Sequence, residues 1–135
     1  MTYLVDANVL SEPTKVAPHP KAVAWLNDHE GDFVVDPVVL GELQIGILSL
    51  PVGRKRGRLE HWFDAVLRSV DCLPWDAAVG RRWAELVVDV KDRGLTLPIL
   101  DGMIAATALA HGLTVVTRNV RDFQKTGVKV LDLFA

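Results

Sequence analysis

Short β-branched or apolar runs alternate along the chain with longer stretches in which apolar residues recur every three or four positions. Tyr3-Leu4-Val5, Phe33-Val34-Val35, Cys72-Leu73, Thr114 to Thr117 and Lys129 to Leu133 read as strands. After the first of them, Ser11-Glu12-Pro13 breaks a short helix. Pro20 opens a helix over residues 20–29 through Val23, Ala24, Trp25 and Leu26, and Gly31 ends it. Asp36-Pro37 supplies the cap and first-turn proline of a helix carrying Val38, Val39, Leu43, Ile47 and Leu48. Pro51 and Gly53 mark a break, after which Leu59, Trp62, Phe63, Val66 and Leu67 repeat at helical spacing. Asp76 precedes a long helical pattern from Ala77 to about Arg93, stopped at Gly94. Pro98 begins another, carried by Ile99, Leu100, Met103, Ile104, Ala105, Ala108 and Leu109 to Gly112. Strands and helices in this alternation predict βαβ units, an α/β fold whose parallel sheet is covered on both faces. With no internal repeat and no linker, residues 1–135 are expected to form one domain with a real core.

Four acidic residues stand out against that pattern. Asp6 directly follows the first strand, at the carboxyl end where open α/β sheets place their ligands, although an Asp there also caps a helix well. Glu42 lies one turn after Val38 and beside Val39 and Leu43, on the face meant for the core. Asp101 has Ile104, Ala105 and Ala108 three, four and seven positions on, so it occupies the first turn of an almost wholly apolar helix. The helix dipole favours an anion there, so a buried structural acid is the competing reading. Asp122 lies in the loop after the Thr114–Thr117 strand, where alone it would be an ordinary turn residue. Carboxylates on apolar faces are costly to desolvate, and a divalent cation would offset that cost.

Oxygen-only donors suit Mg²⁺ or Mn²⁺. Zinc is disfavoured: the sequence has no cysteine pair, and His19, His29, His61 and His111 fall in unrelated segments. An acid-rich metal site can orient a phosphodiester, neutralise its charge and activate a water, so phosphoryl-transfer chemistry follows.

Composition narrows the remaining possibilities. A net charge of −2 provides no global basic field, so contact with nucleic acid needs a local patch. The run Arg54-Lys55-Arg56-Gly57-Arg58 is such a patch, or else a solvated helix start. Arg118 and Arg121 flank Asp122 and would contact substrate or pair with the acids. Trp25, Trp62, Trp75 and Trp83 read as core or interface residues. Cys72, the single cysteine, excludes an internal disulfide framework and reads as an inert residue in an apolar strand. No apolar run approaches the roughly 18 residues of a membrane span, and no secretory leader is visible, so a cytoplasmic, non-membrane protein is expected.

The segments Tyr3-Leu4-Val5-Asp6-Ala7-Asn8-Val9-Leu10-Ser11-Glu12, the internal Glu42, Pro98-Ile99-Leu100-Asp101-Gly102-Met103-Ile104-Ala105-Ala106-Thr107-Ala108 and Thr117-Arg118-Asn119-Val120-Arg121-Asp122-Phe123 together resemble PIN-domain ribonucleases. More narrowly, they look like the VapC toxins of type II toxin–antitoxin systems, in the FitB-like branch. The resemblance implies a three-layer α/β/α sandwich around a mainly parallel sheet and a Mg²⁺-dependent endoribonuclease, with Mn²⁺ able to substitute. By the family pattern Asp6 and Asp101 would be the nearest metal ligands, and Glu42 and Asp122 would complete the site. Asn8, Thr117 and Asn119 would position water or phosphate. Hydrolysis would leave a 5′-phosphate and a 3′-hydroxyl. The resemblance also implies dimerisation and a VapB-like antitoxin whose tail covers the acidic groove, with operator DNA bound only through the toxin–antitoxin complex. One departure is Ala7, where the family commonly has Thr.

Two other readings compete. A phosphatase of the haloacid dehalogenase type wants a second Asp two residues after the first, and position 8 is Asn8. A catalytically silent PIN scaffold would act only with a DNA-binding antitoxin in transcriptional autoregulation; retention of all four acids favours activity.

Overall fold

A computed structural model describes residues 2–135. Five parallel strands form one sheet: β1 (Tyr3–Val5), β2 (Phe33–Val35), β3 (Asp71–Cys72), β4 (Thr114–Val116) and β5 (Val130–Leu131), in the order β3-β2-β1-β4-β5. β1 is central, with Tyr3 beside Phe33 on one side and beside Thr114 on the other. The chain crosses from β1 outward to β2 and β3, then returns to the opposite side of β1 as β4 and β5. The carboxyl ends of β1 and β4 therefore flank the point where the strand order reverses, the usual ligand crevice of such sheets.

Among the described residues seven helices cover the sheet: α1 (Ala7–Leu10), α2 (Pro20–Asp28), α3 (Pro37–Leu48), α4 (Arg54–Ser69), α5 (Ala77–Asp92), α6 (Ile99–His111) and α7 (Val120–Gln124), with a 3₁₀ turn over Glu12–Thr14. The inner strands read Leu4-Val5, Val34-Val35 and Val115-Val116, all essentially inaccessible, as expected where helices lie on both faces. Leu86, Val90, Ile104, Ala105, Phe123 and Leu133 complete the same core. Asp36 caps α3, its Oδ1 accepting from the Val39 N–H at 2.9 Å, and Asp76 caps α5 in the same way at 3.1 Å. Gly112 ends α6 at φ 66°, a left-handed conformation that a side chain would strain.

The structure departs from the sequence reading in three places. Asp122 is not in a loop: residues 120–124 coil into α7, too short a helix for periodicity to register. Cys72 lies on the exposed edge strand β3, so its strand is not apolar and buried. The last strand pairs only over Val130–Leu131. The basic run from Arg54 forms the opening of α4. Trp25 packs edge-on to Tyr3 at 5.0 Å between centroids, and Trp75 meets Trp83 at 5.8 Å, so these rings serve packing. Among the described residues no helix is long and apolar enough to cross a membrane.

Candidate active site

Asp6 is 3% exposed and stands at the end of β1, where its N–H donates to the Val116 carbonyl of β4 at 2.9 Å. It is also the N-cap of α1: Oδ1 accepts from the Ala7 N–H at 2.8 Å. Its other oxygen, Oδ2, accepts from the Thr117 hydroxyl at 2.7 Å and from the Asn8 amide at 3.3 Å. Thr117 in turn accepts the Asn119 N–H at 2.9 Å, and Asn8 Oδ1 accepts the Arg118 N–H at 3.1 Å. The loop after β4 is thereby stitched to the loop after β1, with Asp6 at the join. Burial pushes the Asp6 carboxyl above the ordinary range, against the pull of these three donors.

The remaining acids come from three helices. Glu42 of α3 is half-buried, and its Oε1 is shielded from water without a hydrogen-bond partner. Burial pushes its carboxyl up to about 7, aided by the negative charges of Asp6, Asp101 and Asp36. Asp101, in the first turn of α6, is 6% exposed and is pushed up to about 6 by burial and then by Asp6 and Asp122, while the Asn119 side chain pulls it down. Asp122 of α7 lies close enough to repel Asp101, and its Oδ1 receives the Lys125 ammonium at 3.0 Å. The same ammonium donates to the Thr96 carbonyl at 2.9 Å. Lys125 is thus part of the site's surroundings, a placement that depends on the turn of α7 and leaves no mark in the local sequence.

Mutually repelling carboxylates, one with a buried oxygen that no protein donor satisfies, are stabilised by a positive charge, and the donors are all oxygen, which fits a hard divalent cation. No three acidic, His or Cys side chains converge on one point among the described residues. Mg²⁺ usually binds through one or two carboxylates and keeps several waters, so it does not require such a convergence. The four histidines take no part; His29 stacks on Trp25 and His19 packs on Phe134.

A fifth carboxylate escaped the sequence reading except as a helix cap. Asp36 is wholly buried, directly after β2 as Asp6 is after β1, and its Oδ2 accepts the Thr107 hydroxyl at 2.7 Å. The recurrence of a strand ending in Asp was the available signal.

The basic residues divide. Arg54, Lys55 and Arg58 are exposed, whereas Arg56 is engaged with Glu60 at 3.1 Å and with the Leu50 carbonyl at 3.3 Å. Lys55 and Arg58 line, with Lys15, a groove of about 380 Å³. Through Thr14, Gly46 and Leu59 it continues into a second, of about 360 Å³, that reaches Asn8 and Glu42. Arg118 pairs with none of the four acids: its guanidinium lies 3.8 Å above the Phe134 ring. Arg121 is exposed on α7.

Residues 3–129 match the PIN domain. The chain belongs to the PIN-domain family. Among relatives, toxin FitB of Neisseria gonorrhoeae is 32% identical over 133 residues, covering 96% of each chain. The VapC ribonuclease Y4jK of Sinorhizobium fredii is 30% identical over 133 residues, covering 96% of this chain and 95% of its own. The fold superposes on the structure of FitAB bound to an IR36 DNA fragment with a TM-score of 0.93 at 30% identity, over 99% of this chain and 96% of that one. This PIN chain therefore sits with the VapC and FitB proteins, and its α/β sandwich is theirs.

Proposed function

We propose that this PIN chain is a divalent-metal-dependent endoribonuclease, the toxin of a type II toxin–antitoxin pair, with residues 1–135 forming its single domain. The observation that carries the proposal is Glu42 Oε1, buried without a hydrogen-bond partner while the negative charges of Asp6, Asp101 and Asp36 bear on the same carboxylate. A site so arranged is stabilised by a cation. The names of the relatives, a VapC ribonuclease and a FitB toxin, support the same reading.

Asp6 and Asp101 would hold Mg²⁺ most closely, with Mn²⁺ as a substitute, and Glu42 and Asp122 would complete the site directly or through water. The ion supplies positive charge to the scissile phosphodiester and lowers the pKa of the attacking water. Thr117 and Asn8 hold Asp6 by Oδ2, leaving Oδ1 tied to the start of α1, so the carboxylate is fixed before any ligand arrives. Asn8 and Asn119 would orient water or a phosphate oxygen. Glu42, its carboxyl raised to about 7 and so about half ionised at neutral pH, would in its ionised form take a proton from the attacking water. Lys15, Lys55 and Arg58 would bind RNA phosphates along the groove, and Arg54, Arg118 and Arg121 would be further phosphate contacts. The products would be a 5′-phosphate and a 3′-hydroxyl.

The structure of FitAB on DNA supports a VapB-like antitoxin as partner and operator binding through the toxin–antitoxin complex; a dimeric toxin acting in the cytoplasm is part of the same proposal. An antitoxin arginine reaching the carboxylates would inhibit by pairing bidentately with them. Cleavage of total cellular RNA by antitoxin-free protein, with Mg²⁺ or Mn²⁺ and with chelator, tests the proposal against Asp6→Asn. Cleavage requiring both the metal and Asp6 upholds it. Inactivity of antitoxin-free wild type, with antitoxin and operator binding intact, would favour the silent regulatory scaffold.

A further inference from the structure

Asp36 and Thr107 are not among the four acids assigned to the site, although the charge of Asp36 reaches Glu42, and both are wholly buried. Capping α3 uses only Asp36 Oδ1, on the Val39 N–H, and a serine would do as much. A carboxylate kept out of water is costly, so its second oxygen needs an account of its own. That oxygen accepts the Thr107 hydroxyl at 2.7 Å across 71 residues of sequence, joining the start of α3 to the middle of α6.

The positions along the two helices give the bond its meaning. Glu42 lies six residues on from Asp36, and Asp101 six residues back from Thr107. Asp36 meets Thr107, and Glu42 feels the charge of Asp101, so α3 and α6 pack in opposite directions with the two pairs in step. At 1.5 Å per residue the pairs are roughly 9 Å apart along each axis. Apolar packing is non-directional and would resist a shift between helices weakly where the contact surface is small. The mid-section of α6 is Ala105, Ala106 and Ala108, which interlock little. A short buried hydrogen bond is directional, and among the described residues this one joins the start of α3 to α6 through side chains.

We infer that the Asp36–Thr107 bond is the register pin of the α3–α6 pair, which makes both side chains positioning residues for Glu42 and Asp101. The inference rests on the nuclease reading of that site and adds to it two residues that touch neither ion nor RNA.

The test titrates Mn²⁺ into the metal-free full chain and follows the rise in melting temperature, with free Mn²⁺ measured by electron paramagnetic resonance. Thr107→Ser keeps the hydroxyl and is expected to respond as wild type does. Thr107→Val is expected to need about tenfold more Mn²⁺ or beyond, the scale seen when an outer support of a metal site is removed. Should Thr107→Val fail to fold, Asp36→Ser keeps the helix cap but is too short to reach Thr107, and is expected to show the same displacement. Variants that melt earlier without metal yet keep the wild-type Mn²⁺ dependence would overturn the pin, leaving the pair merely structural. A wild type that binds no Mn²⁺ at all would instead remove the metal-site reading on which the pin depends.

Discussion

The Thr117 hydroxyl donates to Asp6 Oδ2 at 2.7 Å, joining two residues 111 positions apart that the parallel pairing of β1 with β4 has made neighbours. Thr117 is buried and its oxygen also accepts the Asn119 N–H, so this hydroxyl is the hub of the loop that closes over Asp6. Thr117→Val, nearly isosteric, is expected to cost about 1–3 kcal/mol of stability, the penalty for a buried group left unpaired. Cleavage is expected to fall about 10- to 100-fold. Thr117→Ser should recover most of both in thermal melts and single-turnover assays; a Thr117→Val enzyme as fast as wild type would remove the hub from the mechanism.

Asp101 is held among like charges, so its contribution to folding without metal is negative. Asp101→Asn is expected to abolish RNA cleavage and to raise the melting temperature of the metal-free protein by a few degrees. Loss of activity together with loss of stability would mean that Asp101 is a structural acid, outside the working cluster.

Stability should depend on pH with a definite sign. Glu42 is raised from 4.5 to about 7 and Asp101 from 3.8 to about 6, so between those limits the folded protein binds more protons than the unfolded chain. Stability of the metal-free protein is then full below about pH 4 as far as these two groups go, and is lost as pH rises to about 7. Saturating Mg²⁺ is expected to flatten the decline, and cleavage should rise over the upper part of the same window as the carboxylates ionise. Differential scanning fluorimetry from pH 5 to pH 8, with Mg²⁺ and with chelator, reads this directly; a metal-free protein that gains stability across that range would contradict it.

The basic run should act selectively. Lys55→Glu combined with Arg58→Glu is expected to weaken binding of an inactive Asp6→Asn protein to single-stranded RNA. The salt dependence should become shallower by about one unit of slope for each phosphate that is no longer neutralised. Arg56→Ala, whose side chain is committed to Glu60 and Leu50, should alter RNA binding little. Equal losses at all three positions, measured by fluorescence anisotropy at several salt concentrations, would mean that the run acts as a diffuse charge and that the groove does not define a path.

Much of this architecture is legible from periodicity. Strands β1, β2 and β4 are β-branched or apolar runs bounded by caps and glycines, and long helices such as α5 announce themselves over many residues. Asp6 and Asp101 stand out because burial of an acid contradicts its neighbours. What local pattern does not convey is mostly tertiary. Lys125 reaches Asp122 only because α7 coils, and five residues are too few to show a 3.6-residue period. Asp36 looks complete as a helix cap, since its second partner, Thr107, comes from a helix 71 residues away. The exposure of Cys72 is hidden because an edge strand of two residues carries no burial pattern of its own.

The central position of β1 also sets a schedule. Asp6 is synthesised 111 residues ahead of Thr117, so its carboxylate is not cradled until roughly 5–20 s later at ordinary rates of synthesis. For that interval the growing chain contains most of the domain and none of its completed centre. A chain truncated before β4 would lack the strand beside which β1 builds the centre, so Asp6 would be left without its cradle however much of the rest had formed.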